Sequence, residues 1–257
     1  MEKGIRLDDN FISQVIFRIE FQTIKELLSN DENVVKEFSE KISDKFPISE
    51  VIPHNKINLN IDINSDTPKI AKEGELVWVF KSDNHKKIVT LTANNLVLEY
   101  HEKAYSGFSD FLDEVLLLIT AFNQYDYGEL KFLGLRYINQ ITDINVNNNI
   151  GEYFNPDLTN MAIINNLEKN DETLVQIFSK VNSKKDDYLI TMQYGLFNPG
   201  FPKEDANKIF ILDYDCVLHN INKLDEIKDH LIEMNHLIFD KFDYSIMSKF
   251  EKLIKGE

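Results

Sequence analysis

Arg18 and Arg136, two of only three arginines in the chain, each interrupt an apolar run, as Phe17-Arg18-Ile19 and Leu135-Arg136-Tyr137. A guanidinium placed there needs an acidic or carbonyl partner, because burying an unpaired charge is prohibitive. Asp213 and Asp215 are the preferred partners for Arg136. They lie two apart in KIFILDYDCVLH, so the period of two puts both on one face of a strand. Such groups can form a structural salt bridge on a sheet face, which is the plainer use. The functional use is a pocket in which Arg18 and Arg136 bind an acidic ligand or a partner's carboxylate.

Other chemistry finds less support. Cys216 and His219 are three apart in the same strand, so they face opposite sides about 10 Å apart and cannot make a thiolate–imidazole pair. The other histidines, at 54, 85, 101, 230 and 236, form no close ligand pair. Asp62, Asn64, Asp66 and Glu73 match calcium-loop positions, but Thr67 stands where the sharp turn wants glycine and Pro68 follows. The Asn-rich stretch after Asp143 puts Asn148 at the glycine position and Phe154 at the bidentate one, so it reads as a polar loop. GxSxG, GxxxxGK[ST] and GxGxxG are all missing. No catalytic residue, cofactor or metal is expected. Trp78, among Val77, Val79 and Phe80, reads as core.

The chain has 257 residues, 43% of them hydrophobic, enough for a substantial core in one compact unit. Its formal charge of −15 repels phosphate backbones and anionic membranes, and the scarcity of arginine weighs further against nucleic acid. One cysteine excludes an internal disulfide, and MEKGIRLDDNF has no apolar signal stretch, so a cytoplasmic location is expected. The run Val115 to Phe122 is too short to span a bilayer.

The elements that must position these residues follow from periodicity. ISQVIFRIEFQ predicts a strand, followed by a helix from a cap at Asp31 to about residue 46, with Val34, Val35, Phe38 and Ile42 on its stripe. KINLNIDIN, ELVWVFKS, KIVTLTA and LVLEYH predict an antiparallel meander. A central helix follows over 107–125, its acids Asp110, Asp113 and Glu114 placed where the helix dipole favours them. ELKFLGLRYINQITD, ETLVQIFSKV, YLITMQYGLF and KIFILDYDCVLH predict four more strands. Asn222 and Asp225 resemble a capping box for a last long helix over about 222–240, and Ile246, Phe250 and Leu253 predict a further helical turn set.

The fold expected is α+β, with twisted antiparallel sheets wrapped around the long helices in a helix-grip or TBP-like layout. Residues 1–128 and 129–257 both read strand, helix, antiparallel strands, long helix, and Arg18 and Arg136 occupy matching places in the opening strands. Two similar β-α-β-β-β-α halves are therefore expected.

Gly134-Leu135-Arg136-Tyr137-Ile138-Asn139 resembles the GLRYIN signature of a sporadically distributed, uncharacterised microbial family. QVIFRIEF, WVFKSDN with LTANNLVLEY, ILDYD and NHLIFDKFDYSI are similar to other blocks of that family, in order. The resemblance implies no known activity or cofactor. It points to Arg136, Tyr137 and Asn139, and more loosely to Asp213 and His236. Its patchy distribution implies an accessory gene, of the kind common in defence and toxin–antitoxin operons. The expected role is a non-enzymatic binding, adaptor or sensor module with a protein partner or a second copy of itself. The alternative is a small acidic-ligand protein or enzyme built on Arg18, Arg136, Asp213 and Asp215.

Overall fold

The computed structural model describes residues 11–29, 31–60, 69–142, 146–147, 149–203 and 208–255. Nine strands form one continuous antiparallel sheet: β1 (Ile12–Phe21), β2 (Ile48–Asn60), β3 (Lys69–Lys81), β4 (Lys87–Leu91), β5 (Asn95–His101), β6 (Leu130–Ile141), β7 (Ile177–Lys185), β8 (Tyr188–Phe197) and β9 (Ile209–Ile221). Their order across the sheet is β2-β3-β4-β5-β1-β6-β9-β8-β7. The helices are α1 (Asn33–Ile42), α2 (Phe108–Phe122), α3 (Ile150–Tyr153), α4 (Pro156–Thr159), α5 (Met161–Lys169), α6 (Ile227–Ser245) and α7 (Ser248–Lys255). The expected plural sheets are thus a single one.

Strict alternation along the central strands decides which face is covered. On β1, Val15, Phe17, Ile19 and Phe21 are buried, and Gln14, Ile16, Arg18 and Glu20 point the other way. Burying four large apolar groups on one face fixes the register, since a slip of one residue would exchange the faces. Leu96, Leu98 and Tyr100 on β5, Leu133, Leu135 and Tyr137 on β6, and Leu212, Tyr214 and Cys216 on β9 continue the buried face.

Among the described residues the helices pack on this same face. Phe38 of α1 meets Phe80 of β3, and Phe154 beside α3 stacks on Phe210 of β9 with ring centroids 4.2 Å apart. Tyr137 of β6 donates to Asn235 of α6. Glu114 of α2 is buried there too, its Oε1 2.7 Å from Lys87 Nζ and its Oε2 accepting from Tyr100 at 2.5 Å. Glu114 is therefore held by a cation and a phenol, not by the helix dipole alone. The opposite sheet face carries no helix among the described residues.

The helix expected after β1 forms, but it ends at Ile42 instead of about residue 46, and its N-cap is Glu32 with no side-chain cap bond. Asp31 Oδ1 accepts from the Asn33 backbone N–H at 3.0 Å just ahead of it, and Val35, Phe38 and Ile42, without Val34, are the buried stripe of α1. The Asn222–Asp225 capping box does not form. A 3-10 turn at Leu224–Glu226 begins instead, with Lys223 at its N-cap and no side-chain cap bond, and α6 runs on to Ser245. β2 starts at Ile48 and runs through Pro53, which is tolerated because β2 is an edge strand. β7 begins at Ile177, leaving Glu172–Gln176 outside it. The Asp62–Asp66 segment lies outside the described residues. Among the described residues, no helix is long and apolar enough to cross a membrane.

Candidate functional site

Strand register assembles the open face in rows. One row runs Glu99 on β5, Ile16 on β1, Arg136 on β6, Asp215 on β9, Thr191 on β8 and Asn182 on β7. The next runs His101, Gln14, Ile138, Asp213, Gln193 and Lys180. A third holds Val97, Arg18, Gly134, Val217, Leu189 and Lys184. Arg18, Arg136, Asp213 and Asp215 therefore share one surface, as period-two counting predicts.

Arg136 binds Asp213 as a fork, Nε to Oδ1 at 2.8 Å and Nη2 to Oδ2 at 2.6 Å. Gln193 Nε2 adds a third donor to Oδ2 at 3.2 Å, and Asp213 is only 5% exposed. The bond to Asp213 raises the guanidinium's pKa, outweighing the effect of burial. Arg18 is closed by its own strand. Its Nη2 lies 2.5 Å from Glu20 Oε1, and its guanidinium sits 5.7 Å from the Phe132 ring centroid. Gly134 makes room for that ring, since a Cβ there would stand 2.8 Å from Phe132 Cε1.

Asp215 differs from its neighbours. It stands directly opposite Arg136, yet that guanidinium is engaged with Asp213, and no cation lies within ion-pair distance of Asp215 among the described residues. Burial raises its carboxyl above the ordinary 3.8, helped by Asp213, and the more distant Arg136, Lys180 and Arg18 only partly offset this. A carboxyl with a raised folded pKa binds its proton more readily in the native state. It therefore costs stability once pH exceeds its folded value, and that cost vanishes below 3.8. Asp215→Asn is expected to raise the urea midpoint at neutral pH, with the gain shrinking as pH falls toward 3.8. Equal midpoints at both ends of that range would remove the argument.

The remaining candidates are elsewhere. Tyr137 points into the helix layer, where its hydroxyl donates to Asn235 Oδ1 at 2.8 Å and lies 3.2 Å from the Tyr105 hydroxyl. Burial pushes the Tyr137 phenol well up, and that of Tyr105 to about 12. Asn139 is buried, its Nδ2 donating to the Leu212 carbonyl at 3.1 Å across the β6–β9 ladder. His236 is exposed on α6, in the layer opposite the open face, so it does not join the other candidates. Within Gly134–Asn139, Gly134 and Leu135 thus have packing tasks and Arg136, Tyr137 and Asn139 bonding tasks, while Ile138 lies on the open face.

Cys216 lies on the covered face with its thiol pushed up to about 12 by burial, and His219 lies on the open one, against Phe132. Among the described residues no group of three His, Cys, Asp or Glu is gathered to hold a metal ion. The sequence reading missed Glu20 and Gln193. Glu20 was available from spacing, since it follows Arg18 by two. Gln193 becomes a partner of Asp213 only through the β8–β9 register. No protein-family model matches the chain, and no curated protein matches it.

Proposed function

We propose that the protein is a non-enzymatic binding module that engages a protein partner through the uncovered face of its sheet. The observation that carries this is the one-sided cover: among the described residues the helices pack on one face, and the other offers a broad mixed surface. Ile16, Ile138, Val97 and Leu189 alternate there with Arg136, Asp215, Gln14 and Glu99. Apolar area interrupted by a few oriented charges is the composition of a protein interface.

The acidic-ligand alternative has less support, because Arg136 and Arg18 are already held by Asp213 and Glu20. Nucleic acid is disfavoured by the net charge of −15 and by Glu20, Glu99 and Asp215 on this face. The strand order supports a TBP-like layout built from two related halves. β1 and β6 pair at the centre, each is followed by helical turns, a meander that returns to its flank, and a long helix. The first meander has four strands and the second three, so the duplication is inexact. With the GLRYIN resemblance, the module fits an accessory operon of the defence or toxin–antitoxin type.

Native mass spectrometry of the protein purified from its own host tests this. A bound protein mass should be present in the parent and in Asp240→Arg, on the helix layer, but lost in Leu189→Arg, on the open face. A mass retained by both variants would place the interface elsewhere.

A further inference from the structure

The middle of the open face keeps one carboxylate without a partner, whereas the cations Lys180 and Lys184 lie out on β7 at the sheet's edge. Arg136 spends Nε and Nη2 on Asp213, Asp213 receives a third donor from Gln193, and Arg18 is taken by Glu20. What remains on the central strands is a carboxylate. Asp215 accepts no hydrogen bond from the described residues, although it sits in the sheet's middle rows between Arg136 and Thr191. On the side away from Asp213 and Gln193 the neighbouring positions are apolar or small: Val217 two along its own strand, Gly134 diagonally on β6, and Leu189 diagonally on β8, 38% exposed.

A basic side chain fits both halves of this description. The aliphatic stem of lysine or arginine covers apolar surface while its head reaches a carboxylate. The long-range field of a chain carrying −15 also draws cations towards it. We propose that the open sheet face docks a basic segment of a partner protein, seating one of its lysine or arginine side chains against Asp215 with the stem over Val217 and Leu189. The inference rests on the sheet-face reading given above and adds the chemistry of the partner.

Three cations act on Asp215 from other strands, Arg136 on the adjacent β6 and Lys180 on β7 and Arg18 on β1, each two strands away, with Asp213 beside it on β9. None of the cations approaches within salt-bridge distance, and together they leave its carboxyl raised above the ordinary range. A desolvated cation in direct contact would supply what these distant ones do not.

The test is selection of a phage-displayed library of random linear peptides on the folded protein, with binding of the enriched peptides then measured on variants. The expected result is enrichment of peptides with lysine or arginine beside aliphatic residues. These should bind Asp215→Asn about tenfold more weakly, a loss of ~1.4 kcal/mol, and bind Asp240→Asn, the same charge change on the helix layer, as the parent does. Higher salt should weaken parent binding and leave Asp215→Asn less affected. Peptides that are lost on Leu189→Arg but lack basic residues, or that bind Asp215→Asn equally well, would overturn the cation seat and leave the sheet-face reading standing. Peptides indifferent to Leu189→Arg, or no enrichment at all, would count against the sheet face itself.

Discussion

Arg136→Met is expected to lower the free energy of unfolding by about 3 kcal/mol, the low end of what breaking a buried pair costs. The substitution keeps much of the side chain's length and apolar stem. It removes both donors of the fork, leaving Asp213 with Gln193 alone at 3.2 Å. The penalty comes mainly from that stranded carboxylate, which is 5% exposed on a strand paired on both sides. The low end is appropriate because the Arg136 side chain itself is 37% exposed, so some water reaches the pair. Adding Asp213→Asn removes the stranded charge, so the double variant should lose clearly less than the two single losses combined. Urea denaturation of all four proteins measures this coupling, and strict additivity would mean that the pair contributes nothing as a pair.

Gly195→Ala should cost a similar amount, about 3 kcal/mol, by a different route. Gly195 has φ +149°, a backbone conformation L side chains rarely adopt, and a Cβ there would stand 2.1 Å from the Ile177 carbonyl oxygen and 2.9 Å from Phe178 Cα. Both obstacles are backbone, so no rotamer change relieves them. The chain can accommodate a methyl group only by parting β7 from β8 near the Phe178–Gly195 pair. Hydrogen exchange should therefore show lost protection concentrated in β7 and β8, with the β1–β6 centre retained at moderate denaturant. Unchanged protection in β7 would contradict this geometry. The contrast with Gly134 is instructive, since the nearest atom there is the far end of the Phe132 side chain, which can swing aside.

What could be read from sequence divides along physical lines. Alternation in ISQVIFRIEFQ and KIFILDYDCVLH is a property of consecutive residues, so those strands and the shared face of Asp213 and Asp215 were visible in advance. The fork from Arg136 to Asp213 was also foreseeable, because an arginine in an apolar strand demands an acid. The burial of Glu114 was not, since its partners Lys87 and Tyr100 belong to strands whose position against α2 depends on the whole fold. Asp215 was expected to share Arg136 with Asp213. Only side-chain geometry reveals that the guanidinium turns to Asp213, although Asp215 is its direct cross-strand neighbour. The signature segment pointed to Arg136, Tyr137 and Asn139 as one group, but alternation sends Arg136 to the open face and the other two into the helix layer. His236, taken from the same resemblance, lies on the outer layer because helical phase along α6 exposes it between buried Met234 and Leu237.

The pairing of β1 with β6 joins residues 12–21 to residues 130–141, and it lies at the centre of the sheet. During synthesis, β1 and the meander that returns to it through β5 emerge well before β6 does. At that stage β1 presents a long unpaired edge of β-branched and aromatic residues, the kind of edge on which chains aggregate. Closing it requires contacts between residues more than a hundred apart in sequence, from Phe21 with Leu130 to Ile12 with Asn139, which makes this pairing a natural slow step in folding. The same strand that ends in the middle of the finished surface thus begins as its most vulnerable border.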